Sequence, residues 1–398
     1  MNRFFKTALF TVFILLAAVS VVQGVKNALL FSQDFQYDAA LALRSGINPY
    51  EESLHPTGAL ESGATADFYA FFEEKGIPQK MEANQFPSLL MLLFPMTFLP
   101  YGISRVLWLF LNLLFTALSI FLLRKTFLKE MDRDIFILLM LLMIAGTPWR
   151  NQVGVGQHTL FSLFFFLLAV YLSEKDIRIC SGLSLSVSYF KYTLTAPLAV
   201  YFIYKKRYRE FVISLIPHVV GTFAASVMLK TSFIDMIREP LEVSKALAGE
   251  GSIDIGALSG GASWSLMAAG AIMLGCVLMA VILPEGYDGR FFSLLLLISL
   301  VMTYHRSYDF FVLAPAACGT CLLSGDRGDR KDRILTVVYI ILTLYIFFGL
   351  RVFNESSGSL TAAAFLFYGY LLSYMCLFKC NPEQRKCNPE QRKCHPER

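Results

Sequence analysis

The chain has 398 residues, of which 56% are hydrophobic and only 16% are charged. Soluble globular proteins have about 45–50% apolar and about 25% charged residues, so this composition excludes an ordinary soluble protein and indicates a polytopic membrane protein. The net charge of +5 does not indicate nucleic-acid binding. Lys and Arg cluster in short loops between apolar runs, as the orientation signals of membrane proteins do.

The first apolar run, Ala8 to Phe31, follows Arg3 and Lys6 and predicts an uncleaved signal anchor. Basic residues favour the cytoplasmic side, so we expect a cytoplasmic N-terminus and an external segment from Ser32 to Gln85. That segment has nine acidic and three basic residues, as suits an external loop. Its length and its aromatic pieces, such as ADFYAFF, predict short amphipathic helices on the membrane surface.

Further apolar segments predict an all-α fold with ten to twelve transmembrane helices in total. These predicted spans are Phe86 to Pro100, Ile103 to Leu123, Ile135 to Trp149, Thr159 to Ser173, Ile179 to Tyr204, Phe211 to Met228, Ala262 to Leu283, Phe291 to Tyr304, Phe310 to Leu323, Ile334 to Leu350 and Leu360 to Phe378.

Two of these segments leave the topology open. Phe86 to Pro100 is short and contains three prolines, and Ile179 to Tyr204 has Lys191 in its middle. If both cross the membrane, the basic loop RKTFLKEMDR is external. If the first is re-entrant and the second is a broken hairpin, that loop and KKRYR are both cytoplasmic, which the distribution of positive charge favours. Both arrangements place the YHRSYD turn outside and the C-terminus inside.

The last residues differ from the rest of the chain. Lys379 to Arg398 repeats the heptapeptide KCNPEQR and has no residue that could form a core, so we divide the chain into an integral membrane domain, 1–378, and a disordered tail, 379–398. A metal-binding tail is the alternative, but the spacing of Cys380, Cys387 and Cys394 does not match that of zinc fingers. The other cysteines lie in or beside apolar spans and are expected to be buried hydrophobic residues.

Ionisable and polar residues at the edge or interior of the bilayer are the candidates for function, because burying them is costly. Asp34 directly follows the first span and could act as a general base, with Asp38 as the alternative. The alternative is that these acids have no catalytic role and either cap a helix or lie solvated in the loop. A second candidate group surrounds the glycines of VGVGQ and suits hydrogen bonding to a sugar or a phosphate; it comprises Arg150, Asn151, Gln152, Gln157 and His158.

Two further candidates lie later in the chain. Lys191 is too far from either end of its apolar segment to reach the membrane surface easily, and a phosphate is the natural partner of its ammonium. The turn TYHRSYDFF lies between two spans and concentrates polar and charged residues there: Tyr304, His305, Arg306, Tyr308 and Asp309. An interfacial aromatic belt with a snorkelling arginine is the alternative to a polar site there.

Six segments, taken in their order along the chain, resemble glycosyltransferase family 87. They are DFQYDAALALRSGINPY, NQFPSLLMLLFPMTFLP, SRVLWLFLNLL, NQVGVGQHTLFSLFFFLLAVYL, GLSLSVSYFKYTLTAPLAVYFIYKKRYR and YHRSYDFFVLAPA. These are polytopic enzymes of the GT-C type that use polyprenyl-phosphate sugars, of which mannose is the best-known sugar. The resemblance implies an inverting hexosyltransferase whose site faces the outside of the plasma membrane, with a glycolipid or glycan acceptor. It implies Asp34 as the base, or Asp38. It implies substrate contacts for Tyr37, Arg150, Asn151, Gln157, His158, Lys191, His305, Arg306 and Asp309.

No DxD pair with surrounding ligands is present, so we expect no metal or other cofactor. Two other functions compete with the transferase. A secondary transporter or lipid flippase would also use broken helices and intramembrane charge, but it would commonly show two similar halves, and no convincing internal repeat is present. A non-catalytic subunit of an envelope polysaccharide assembly would keep the fold without needing Asp34.

Overall fold

The computed structural model describes residues 3–31, 35–54, 73–74, 83–247, 255–258, 264–303, 305–320 and 330–349. Every regular element in these ranges is helical. Up to the middle of the chain they are α1 Arg3–Leu30, α2 Tyr37–Arg44, α3 Tyr50–Leu54, α4 Pro87–Leu90, α5 Phe94–Thr97, α6 Tyr101–Lys125, α7 Arg133–Ala145, α8 Thr147–Val155, α9 Thr159–Glu174 and α10 Arg178–Ser188. They continue with α11 Tyr192–Tyr204, α12 Tyr208–Leu229, α13 Asp235–Leu247, α14 Ile255–Leu258, α15 Trp264–Ile282, α16 Asp288–Met302, α17 Leu313–Ala316 and α18 Arg330–Leu344.

Short 3₁₀ turns connect several of these helices. They comprise Met91–Leu93, Tyr189–Lys191, Ser307–Val312 and Ala317–Gly319, and a π-helical segment, Tyr345–Gly349, follows α18. Such turns interrupt segments that the sequence pattern predicts as continuous spans. Phe310 to Leu323, for example, consists of 3₁₀ turns around the four-residue helix α17, as far as it is described.

Among the residues that the structure describes, four helices are long and apolar enough to cross a membrane: Phe4–Leu30, Tyr101–Lys125, Tyr208–Leu229 and Trp264–Ile282. A fifth candidate is the pair Arg133–Ala145 and Thr147–Val155, which is bent by 54°. The predicted ten to twelve spans are therefore not confirmed within the described ranges. The main reason is length, because a crossing needs about 20 helical residues, whereas α9 has 16 and α11 has 13.

The bend between α7 and α8 was not expected, since Ile135 to Trp149 was predicted as one span. Gly146 joins the two helices in an extended conformation, and Pro148 occupies the first turn of α8. Proline lacks the amide hydrogen that a continuing helix would need, so it favours the start of a new helix there. Asp132 caps the N-terminus of α7, and its side chain accepts hydrogen bonds from the amides of Asp134 and Ile135, at 2.9 and 3.2 Å.

The helices pack around one continuous apolar core. α1 contacts α6, α7 and α8, while α9 packs between α6 and α10. α10 contacts α12, α11 contacts α15 and α16, and the 3₁₀ turn Ser307–Val312 lies against α8. The outer faces of α1, α12 and α15 carry many exposed apolar side chains, as expected of faces that contact lipid.

The first loop differs from the expected surface helices where it is described. α2 is buried from Tyr37 to Leu43 and packs against α4, α5 and the turn between them. The predicted aromatic piece ADFYAFF lies outside the described residues, as do the last predicted span and the tail. α2 thus anchors the first loop to the helical core instead of lying on the membrane surface.

Candidate functional site

A break between α10 and α11 places Lys191 inside the protein. The 3₁₀ turn Tyr189–Lys191 separates the two helices, and the Lys191 amide donates to Ser162 Oγ at 2.8 Å. Thr195 Oγ1 donates to the carbonyl groups of Ser188 and Lys191, at 2.8 and 3.0 Å, so carbonyls near the break are satisfied. These hydrogen bonds stabilise the break, which orients a lysine that is only 7% exposed.

The Lys191 ammonium lies between two acceptors. Its Nζ is 3.6 Å from Asp309 Oδ2 and 3.5 Å from Gln157 Oε1, and it lies 5.4 Å from the centre of the Tyr308 ring. The distances from Nζ to the two oxygen atoms exceed the usual 2.7–3.2 Å of an N–H···O hydrogen bond. An ammonium has three donors, so Lys191 can turn toward a ligand without first breaking a short bond.

Asp309 is the centre of this group and is fully buried. His305 Nδ1 lies 2.8 Å from Asp309 Oδ2, and Thr159 donates its hydroxyl hydrogen to Asp309 Oδ1. This arrangement orients the imidazole, and its Nε2 has no hydrogen-bond partner among the described residues. We call Gln157, Thr159, Lys191, His305 and Asp309 the polar cluster.

The glycines of VGVGQ shape the polar cluster and do not form a phosphate loop. Gly156 ends α8 with φ +75°, a conformation that a side chain would strain. Its carbonyl accepts a hydrogen bond from Trp108 Nε1 at 2.7 Å, and Gln152 Nε2 donates to the Gln157 carbonyl at 2.6 Å. Gly154 allows close packing, since a Cβ there would lie 2.9 Å from Asn27 Cβ. The tight helix end sets the position of Gln157.

Stacked rings connect the first loop with the polar cluster. Phe35 is buried and stacks on Trp108 with 5.8 Å between ring centroids. Trp108 contacts the His158 ring edge-on at 5.5 Å, and His158 lies 4.4 Å from Phe190, the residue before Lys191. The segment that follows α1 therefore reaches the same region of the core as Lys191.

The structure describes only one of the two candidate bases of the first loop, Asp38. Asp34 lies outside the described residues, immediately before Phe35. Asp38 is buried in the first turn of α2, and its Oδ1 accepts a hydrogen bond from the Ala39 amide at 2.9 Å. Gln36, between them, is buried and has φ 59°. A non-glycine residue held in this region costs about 1–3 kcal/mol.

The other predicted site residues have varied surroundings. Tyr37 donates its hydroxyl hydrogen to the Leu99 carbonyl at 2.8 Å, and Arg150 donates to Gln23 Oε1 at 2.9 Å, which ties α8 to α1. Asn151 is half-buried and Arg306 is exposed. The structure therefore brings Gln157, Lys191, His305 and Asp309 together, and the predicted roles of Arg150 and Arg306 at a phosphate stay predictions.

Thr159 and Trp108 are not among the site residues predicted from the sequence. Thr159 directly follows His158 and could have been included by adjacency, whereas nothing in the local sequence marks Trp108. Within the described ranges, no group of three or more His, Cys, Asp or Glu residues is arranged to hold a metal ion. The polar cluster combines one cation, one carboxylate and one imidazole in an apolar core, an arrangement suited to binding an anion and to exchanging protons.

The family model of glycosyltransferase family 87 matches residues 87–325. The match covers more than half of the 398 residues and includes the whole polar cluster, while Asp34 and Asp38 precede it. No curated protein and no solved structure matches the chain.

Proposed function

The chain belongs to glycosyltransferase family 87 and is a membrane glycosyltransferase, and from that premise we propose that it transfers a hexose from a polyprenyl-phosphate sugar to a lipid or glycan acceptor. The observation that carries the proposal is the buried polar cluster around Lys191. Inserting a lysine into an apolar helix costs about 2.5–3.5 kcal/mol on insertion scales. Binding of an anionic ligand would give this costly residue a function. The phosphate of a lipid-linked sugar is such a ligand, and the bilayer delivers it from the side.

The proposed reaction is a single displacement. A carboxylate of the first loop, Asp34 or else Asp38, accepts the proton of an acceptor hydroxyl. The hydroxyl oxygen forms a bond to the anomeric carbon while the bond from that carbon to the phosphate oxygen breaks, so the configuration inverts. The polyprenyl phosphate leaves with the electron pair of the broken bond, and Lys191 stabilises the charge that develops on it.

The roles of the remaining cluster residues follow from their contacts. Asp309 orients His305 through Nδ1, which leaves Nε2 available to hydrogen bond to the phosphate or to the sugar. Gln157 offers both an amide donor and a carbonyl acceptor beside Lys191. We propose mannose as the sugar on the resemblance alone, and a site on the external face of the plasma membrane, with both termini cytoplasmic.

The first test measures transfer of labelled sugar from polyprenyl phosphate in membranes that contain wild type, Asp34→Asn or Asp38→Asn. We expect Asp34→Asn to lower transfer by about 10²–10⁴-fold, the usual contribution of a general base, and Asp38→Asn to lower it much less. Asn keeps the shape of Asp but removes its negative charge and its basicity, so each variant controls for the other.

Unchanged transfer by Asp34→Asn would remove Asp34 as the base, and loss of transfer in Asp38→Asn alone would assign the role to Asp38. If the wild type transferred no sugar from any lipid donor, a transporter, a flippase or a non-catalytic subunit would replace the transferase as the better proposal.

A further inference from the structure

The two carboxylate oxygens of Asp309 have different partners in the polar cluster. Oδ2 lies 2.8 Å from His305 Nδ1 and 3.6 Å from Lys191 Nζ, so the imidazole and the ammonium share this one oxygen. Oδ1 accepts the hydroxyl hydrogen of Thr159. The carboxylate is thus hydrogen-bonded to a hydroxyl and to an imidazole, whereas its distance to the buried cation exceeds that of a hydrogen bond.

The position of Thr159 at the start of α9 explains why its hydroxyl is available to Asp309. A threonine inside a helix commonly donates to a carbonyl three or four residues earlier in that helix. Thr159 is the first residue of α9, so no earlier turn of the helix offers such a carbonyl. The carbonyl three residues back, that of Gly156, already accepts a hydrogen bond from Trp108 Nε1. The hydroxyl therefore donates to a side chain from a distant part of the chain.

Burial and shape hold this hydroxyl in place. Thr159 is fully buried, and a β-branched side chain has few accessible rotamers. Asp309 is also fully buried, but the last torsion of an aspartate is broad and does not by itself select one orientation. Thr159 on α9 and His305 after α16 contact different oxygens, so together they fix the plane of the carboxylate.

The fixed carboxylate has a consequence for Lys191. A carboxylate that was free to turn would offer Oδ1 to the ammonium at about 2.8 Å, the usual length of a charged N–H···O bond. At an effective dielectric constant of about 20, shortening the distance from 3.6 Å to that length strengthens the attraction enough to weaken the binding of a competing anion about tenfold. The hydrogen bond from Thr159 occupies Oδ1 and prevents this approach.

We propose that Thr159 is a positioning residue of the transferase: by holding the Asp309 carboxylate, it keeps the Lys191 ammonium available for the phosphate of the lipid-linked sugar. The inference rests on the proposed function and adds to it a residue that acts through Asp309 and not on the substrate. Without the hydroxyl, Oδ1 is a buried acceptor that lacks a donor, a costly state that the ammonium relieves by moving closer.

Two substitutions separate the hydroxyl of Thr159 from the bulk of its side chain. Thr159→Val removes the hydroxyl and keeps the β-branched shape, whereas Thr159→Ser keeps the hydroxyl and loses a methyl group. Thr126→Val is the matched control, because Thr126 is 4% exposed and donates its hydroxyl hydrogen to the Leu122 carbonyl at the C-terminal end of α6.

The first readout is transfer kinetics in membranes. We expect Thr159→Val to raise the KM for the donor about tenfold with kcat nearly unchanged, because a tighter ion pair in the free enzyme weakens ground-state and transition-state binding equally. Thr159→Ser and Thr126→Val should keep the wild-type KM. A lower kcat with an unchanged KM in Thr159→Val would indicate a loss of folded enzyme and would overturn the proposal, as would an equal rise of KM in Thr159→Ser.

The second readout is binding of labelled polyprenyl phosphate, without a sugar, to the purified protein in detergent. We expect Thr159→Val to bind it about tenfold more weakly than the wild type and Thr159→Ser to bind it equally well. In the Asp309→Asn background, Thr159→Val should have no further effect, since no carboxylate is left to hold. An equal loss in that background would mean that Thr159 contacts the ligand itself, against the proposal. If that double variant does not fold, the comparison of valine with serine decides.

The two readouts also separate this inference from the proposed function. Carrier binding that depends on the Thr159 hydroxyl, without any transfer by the wild type, would overturn the transferase reaction and leave the positioning role. Wild-type KM and wild-type binding in Thr159→Val would overturn the positioning role alone. A wild type that neither bound the carrier nor transferred sugar from it would overturn both.

Discussion

Lys191 illustrates how far single residues could be predicted from the sequence. Charge inside an apolar segment is costly, so Lys191 and Asp309 could be recognised one at a time. Their pairing could not, because the two positions are 118 residues apart in the sequence and the turns that carry them come together only in the folded chain, where Lys191 Nζ lies 3.6 Å from Asp309 Oδ2. Thr159 escaped notice because a threonine within an apolar helix costs little and carries no signal. Arg150 was predicted to contact substrate, but its guanidinium donates a hydrogen bond to Gln23 on α1, a contact that stabilises helix packing.

Replacing Lys191 tests the cluster at this scale. We expect Lys191→Ala to lower kcat for sugar transfer by about 10²–10³-fold, the usual effect of removing one donor that stabilises transition-state charge. The variant also leaves Asp309 buried without its cation, which lowers the free energy of unfolding by about 3–5 kcal/mol. The double variant Lys191→Ala/Asp309→Asn should recover much of the thermal stability in detergent and none of the transfer.

Lys175→Ala is the control for this experiment, because Lys175 is an exposed lysine at the end of α9. It should keep full transfer. If the stabilised double variant regained transfer, the contribution of Lys191 would be structural, and the phosphate-binding role would be wrong.

At the scale of elements, the positions of helix breaks were only partly predictable. The prolines of Phe86 to Pro100 and the charge of Lys191 indicated two of them, and the structure has short helices and 3₁₀ turns at both. The 54° bend at Gly146 was missed, although Gly146 and Pro148 are the kind of residues that cause bends. A Cβ at Gly146 would lie 2.7 Å from the Phe347 ring, a contact with the distant π-helical segment that no local pattern reveals.

Close packing of α10 on α12 depends on Gly182. A Cβ there would lie 2.6 Å from Ile213 Cγ2 and 2.9 Å from the Glu210 carbonyl oxygen, and a backbone atom cannot move aside easily. We expect Gly182→Ala to lower the free energy of unfolding by about 1–3 kcal/mol, as overpacking does. Thermal unfolding in detergent measures the change.

Gly270→Ala on α15 provides the matched comparison, since nothing lies within 4 Å of the added Cβ. It should leave stability unchanged or raise it by up to about 1 kcal/mol through helix propensity. Equal behaviour of the two variants would mean that α10 and α12 are not in the close contact described.

At the scale of the whole molecule, the composition was sufficient to predict an all-helical membrane protein, and the family match confirms the class of enzyme. The number of crossings was not predictable in the same way. Hydropathy reports that a segment is apolar, but it does not distinguish a helix that contacts lipid from one that is buried among other helices. α11 is highly apolar and largely buried by protein, whereas α12 is apolar and largely exposed.

Labelling of a cysteine at Lys129 distinguishes the two topologies. Lys129 lies in the loop between α6 and α7, and the favoured arrangement places that loop in the cytoplasm. In a variant without the eight native cysteines, we expect Lys129→Cys to react with a membrane-impermeant maleimide only after the membrane is opened. A cysteine at exposed Arg306, in the turn predicted to be external, should react in intact cells. Reaction of Lys129→Cys in intact cells would contradict the re-entrant arrangement.

The loose position of Lys191 has a consequence for product release. The Asp309 carboxylate is part of the protein and lies 3.6 Å from the ammonium in the structure. A lipid phosphate at this site would share the cation with the carboxylate and would be repelled by it. In the proposed reaction this repulsion would limit the affinity for the spent carrier, although the carrier would leave with more negative charge on its phosphate than the donor had. If the proposed donor is correct, Asp309 favours rapid exchange of spent carrier for fresh donor over tight retention, which suits an enzyme that must turn over within the membrane.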